Sequence, residues 1–152
     1  MNVEIAGNAW RRERAWLGYA GLLPFLVCTG LLLAPANPAL SASAVEIMRT
    51  YAAVIASFLG AIHWGVAMQD EVHLRVRLRW GVTPALIAWT LLLLPAGPAF
   101  FGFAVLFAAI LFVDVRVLPL LDSSYRQLRM QLSTIVIACM LVAGLIQSKA
   151  VA

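Results

Sequence analysis

The chain has 152 residues, of which 63% are hydrophobic and only 12% charged, and its mean hydropathy is +0.92. A soluble domain carries about a quarter charged residues, so the apolar excess here faces lipid. The net charge of +4 does not indicate nucleic acid, because the arginines sit in short clusters between apolar runs with no continuous basic face. Beside membrane spans, such charge sets orientation.

Taken in chain order, the charges leave five apolar blocks, at 16–34, 47–68, 80–94, 99–113 and 132–146. They predict an all-α, polytopic transmembrane helix bundle of about five spans. A cytoplasmic N-tail (1–15), one bundle (16–147) and a short C-tail (148–152) complete the division. The first block follows Arg11, Arg12 and Arg14. Its length of about 19 residues exceeds the apolar core of a signal peptide, about 7–15. A retained helix kinked at Pro24 is therefore expected. The second block carries two small-residue rows, Ala53–Ser57–Ala61–Gly65 and Ala52–Ala56–Gly60. Rows of this kind let another helix approach closely, and Gly18 and Gly21 of the first block offer a similarly thin partner face.

Blocks three to five hold about 15 residues each, short of the roughly 20 that span a bilayer. Flanking Arg77, Arg79 and Arg129 can snorkel and lengthen them. Alternatively, the uncharged turn Pro95-Ala96-Gly97-Pro98 could close a re-entrant hairpin of blocks three and four. Charge bias tests the topology. The N-tail and the 69–79 and 114–131 loops hold nine basic residues, leaving Arg49 and Lys149 for the opposite side. That asymmetry predicts a bacterial-type inner (plasma) membrane protein with its N-terminus cytoplasmic and its C-terminus outside.

Three stretches carry a resemblance: Trp16 to Phe25, Ser57 to Gly65 (Ser-Phe-Leu-Gly-Ala-Ile-His-Trp-Gly), and Tyr125 to Ser133. Their order and spacing resemble a family of small bacterial membrane proteins described only as a domain of unknown function. Its animal relatives are called transmembrane protein 69 and are similar to mitochondrial inner-membrane proteins. The resemblance implies a multi-pass membrane fold and no particular activity.

Few side chains could carry chemistry. His63 lies inside the second block, where an ionisable group faces protein or a water-filled cavity. It stands about five residues before the end near Met68, roughly 7–8 Å below the interface. A polar site of His63, Asp70, Asp114 and Arg126 is the candidate, either as structural ion pairs or as a shallow pocket for a proton or a polar head group. Gly18, Gly21, Ala53, Ser57, Gly60, Ala61, Trp64 and Gly65 are expected to pack helices, with Trp64 also a belt residue. Glu46, Arg49 and Tyr51 look like a solvated helix start.

Phosphate-loop, dinucleotide, nucleophile-elbow and zinc-protease motifs are absent from the sequence. His63 and His73 would lie about 15 Å apart on one helix, a poor metal or haem cage. No catalytic residue, metal or cofactor is expected, and Cys28 and Cys139 read as free buried thiols. The expected partners are the lipid bilayer and other membrane protein subunits, with no nucleic acid. A non-enzymatic accessory, assembly or structural subunit is the leading reading. The alternative is a small transporter or a lipid- or quinone-binding protein using His63.

Overall fold

The computed structural model describes residues 2–35, 37–68, 74–117 and 123–151. Asp70 and His73 lie outside the described residues. The described chain is all helical: α1 (Asn2–Ala20), α2 (Leu23–Leu33), α3 (Pro38–Ala67), α4 (Leu74–Leu92), α5 (Ala96–Val117) and α6 (Ser123–Val151). Four stretches are long and apolar enough to cross a membrane: Arg12–Leu33, Pro38–Ala67, Ala96–Arg116 and Ser123–Ala150. The first joins the end of α1 to α2. The remaining helix, α4, has 19 residues and opens with Arg75, Arg77 and Arg79 close together.

The break between α1 and α2 follows from Pro24, which has no N–H to give to the preceding turn. Leu22 N–H turns back to the Tyr19 carbonyl at 3.0 Å. The Gly21 carbonyl accepts the Tyr51 hydroxyl of α3, also at 3.0 Å. α3 starts well before its apolar block. Asn37 caps it, its side-chain oxygen accepting Ala39 N–H at 2.8 Å, and Pro38 supplies a preset first turn. α5 and α6 likewise extend beyond their apolar blocks, so polar residues cluster at the two ends of the bundle.

α3 and α4 run antiparallel and in close contact. A Cβ on Gly60 would come within 2.6 Å of the Gly81 carbonyl and 3.2 Å of the Pro84 ring. One on Gly81 would overlap the Trp64 indole. Only the missing side chains permit this approach. Gly60 therefore serves α4, and not the first helix as the small-residue rows suggest. Gly18 faces α6, where an added Cβ would meet Leu132 at 2.8 Å; Gly21 lies beside Tyr51.

α5 and α6 form a second antiparallel pair, with Gly144 against Phe101 and Gly97 against Ser148. Between the two pairs lies a core containing Phe25, Met48, Phe100, Phe103, Phe107 and Met140, each almost fully enclosed. Phe25 meets Tyr51 at 5.0 Å between ring centroids and Phe107 edge-on at 6.2 Å. Most other large apolar side chains point outward, as lipid-facing residues do.

Candidate functional site

One end of the bundle gathers the start of α1, the end of α3, the start of α4, the end of α5 and the start of α6. It carries Arg12, Arg14, Arg75, Arg77, Arg79, Arg116, Arg126 and Arg129. Within it His63 is completely enclosed and Asp114 nearly so. His63 Nε2 lies 2.8 Å from Asp114 Oδ1. Arg129 Nε donates to the other oxygen, Oδ2, at 2.7 Å, and Arg129 Nη2 to the same atom at 2.5 Å. α3, α5 and α6 are thus joined through one carboxylate.

This arrangement selects a tautomer. Arg129 balances the carboxylate charge, and an Nε2–H imidazole donates to Oδ1. The enclosed Nδ1 has no hydrogen-bond partner among the described residues, so it is better left as a lone pair than as a stranded N–H. The Trp80 ring covers the imidazole edge-on at 6.5 Å. Asp114 accepts from two helices, and its neighbours are held by packing. Such a cluster fastens helices, and breaking it leaves an uncompensated buried charge.

Around the cluster, Trp64 Nε1 donates to the Leu78 carbonyl of α4 at 2.9 Å. Tyr19 donates to Gln131 Oε1 of α6 at 2.9 Å. Arg14 lies over the Tyr125 ring at 5.9 Å. Of the sequence-derived polar set, His63 and Asp114 come together, Asp70 is outside the described residues, and Arg126 is exposed. The cation on Asp114 is Arg129, which by sequence is only a residue flanking the fifth block. The pairs Gly97–Ser148 and Phe101–Gly144 lie within two residues of the register of Asp114–Arg129. The Asp114–Arg129 register sets position 126 opposite Val117, the last residue of α5, well away from Asp114.

The opposite end holds a second buried cation. Arg49 is 8% exposed and donates through Nη2 to the Leu92 and Leu94 carbonyls, each at 2.7 Å. Its Nη1 pairs with the exposed Glu46 at 2.9 Å. This corrects the expectation of a solvated helix start. The last carbonyls of α4 have no partner within the helix, and in lipid an unmet carbonyl is expensive, so Arg49 is drawn in to satisfy them.

Of the second-block small row, Ala53 and Ser57 are half-buried, whereas Ala61 and Gly65 are exposed. Among the described residues nothing lies within 4 Å of a Cβ built on Gly65. Among the described residues no group of three or more metal-ligating side chains occurs.

A helical bundle with four membrane-length apolar helices and polar groups enclosed near its ends defines a multi-pass membrane protein. The chain belongs to the family described as protein of unknown function (DUF3429), which matches residues 10–145. No curated protein and no solved structure matches it.

Proposed function

We propose that the chain is a non-enzymatic accessory or assembly subunit of a bacterial-type inner membrane. On this reading it crosses the membrane five times, N-terminus cytoplasmic and C-terminus outside, and its family kinship extends to the animal proteins called transmembrane protein 69. The observation that carries it is the state of the polar core. His63, Asp114 and Arg129 are engaged with one another and tie three helices, which leaves them holding the bundle together instead of turning over a substrate. The exposed Ala61–Gly65 step beside Trp64 supplies a thin outward face on which a helix of another subunit can pack.

Native electrophoresis after extraction from the source membrane in a mild detergent tests this. A discrete larger complex that Ala61→Leu/Gly65→Leu dissociates is the expected result. A monomer with nothing co-purifying overturns it. A second reading, lipid or quinone binding or small-solute transport through His63, draws support from Arg129, which both holds Asp114 and stands in the wall of a lateral cavity. His63 itself is not in that wall.

A further inference from the structure

A cavity of about 390 Å³ opens laterally between α1/α2, α3 and α6, with Phe107 of α5 at its back. Its size is that of a small-molecule site, roughly 300–1,000 Å³. Most of its wall is apolar, and Phe25, Phe58 and Phe107 give it aromatic surface from three helices. Arg14 stands at the Arg-rich end but is already engaged, its guanidinium lying over the Tyr125 ring.

Two hydrogen-bond donors interrupt this apolar wall. Ser133 lines the cavity, is 5% exposed, and makes no hydrogen bond among the described residues. By contrast, Ser57, Thr134 and Ser148 each donate back to the carbonyl four residues earlier. One turn before Ser133 on α6, Arg129 also lines the cavity. Its Nε and Nη2 are given to Asp114, whereas its Nη1 makes no hydrogen bond among the described residues. Neither Ser133 Oγ nor Arg129 Nη1 is sealed in; both keep open surface, and the cavity is the space that both residues border.

The chemistry of these donors limits the occupant. Asp114 balances the Arg129 charge, so the pair offers hydrogen bonds and no surplus charge for an anion. The donors also lie inside an apolar span, Ser133 ten residues after Ser123, about 15 Å along α6. Drawing a charged phospholipid head to that depth is costly, whereas ring carbonyls need only donors. Ser133 and Arg129 stand about 6 Å apart along the helix, a separation that suits carbonyls on opposite sides of one ring. The aromatic walls suit the ring itself.

We propose that this cavity binds the head of an isoprenoid quinone, one ring carbonyl accepting from the Ser133 hydroxyl and the other from Arg129 Nη1. The prenyl tail leaves through the lateral opening into lipid. This rests on the quinone part of the second reading above and moves its contacts from His63 to α6. It is independent of the accessory-subunit reading, since an isolated monomer can hold the quinone.

The test is equilibrium binding to the full chain in phosphatidylcholine nanodiscs, corrected for protein-free discs. The probes are decylubiquinone and decylbenzene, which has a ring and the same saturated tail but no carbonyl. Decylubiquinone should saturate at one per chain and bind at least about fivefold more tightly than decylbenzene, the effect of one ordinary hydrogen bond. Ser133→Ala should weaken decylubiquinone about fivefold and leave decylbenzene unchanged. Ile62→Trp, which fills the cavity, should abolish saturable binding of decylubiquinone. Equal affinity for the two probes, or an unchanged affinity in Ser133→Ala, would overturn the carbonyl assignment and with it the proposal. Undiminished binding in Ile62→Trp would overturn this cavity as the site while sparing the second reading. No saturable binding of either probe would overturn both.

Discussion

Arg129 and Arg49 are both nearly buried, one towards each end of the bundle, yet they meet different partners. Arg129 neutralises a carboxylate that a histidine also holds, so its end is fastened by charge against charge between α5 and α6 and by a hydrogen bond from α3. Arg49 meets the carbonyls of Leu92 and Leu94, closing a helix terminus with an intact cation whose counter-ion, Glu46, stays largely in the open. In the first case Asp114 and Arg129 depend on each other for neutrality. In the second the backbone depends on the cation, which among the described residues supplies the side-chain donor to both carbonyls.

The largest effect should come from stranding a charge. Asp114→Ala leaves Arg129 without its carboxylate, and a loss of about 3–5 kcal/mol is expected, read as unfolding free energy in bicelles. The combined His63→Leu/Asp114→Leu/Arg129→Met variant should recover most of that loss, because apolar packing can replace a buried ionic cluster. Failure to recover, with the fold otherwise intact by circular dichroism, would mean the cluster does more than hold helices. Arg49→Met removes two bonds from a cation and should cost less, about 1.5–3 kcal/mol. Amide exchange should then speed up selectively at the end of α4. A loss as large as that of Asp114→Ala would erase the distinction between the two ends.

Gly60→Ala probes the seam between them. Its Cβ meets a backbone oxygen that cannot turn away, so about 1–3 kcal/mol should be lost through overpacking. Tyr51→Phe deletes one hydroxyl bond to Gly21 and should cost only about 0.6 kcal/mol, the average for hydrogen bonds between membrane helices. A much greater cost would make the α1/α2 break, rather than either ionic end, the critical joint.

Much of this fold is legible in the sequence because lipid imposes long apolar helices, and Pro24 marks its own break. The small-residue rows show that α3 is closely approached, but not by which helix. Gly60 meets α4 because α4 follows α3 within a few residues of sequence and runs antiparallel to it, and that adjacency outweighs the similar glycines of the first block. Arg126 and Arg129 stand three residues apart, on adjoining parts of one face of α6, so helix phase alone does not separate them. The register of α5 against α6 does, and that is a tertiary property. The role of Arg49 is hidden for the same reason: a lone arginine near a helix start looks solvated until the carbonyls it must meet arrive from a segment more than forty residues later. His63 and Asp114 could be named individually from their position in apolar surroundings, but not paired, for want of that same register.

The composition of α4 also bears on how the protein is made. Three arginines crowd its first turns and its apolar run is short, so alone it is a poor candidate for membrane insertion, each arginine opposing transfer by up to about 2.5–3.5 kcal/mol at full depth. Much of what compensates is supplied by α3: the groove at Gly60, the Trp64 donor to Leu78, and the Arg49 clamp on the carbonyls at its end. Because α3 leaves the ribosome first, it can act as a template within the nascent chain, and α4 is recruited into the bilayer as the second arm of a hairpin.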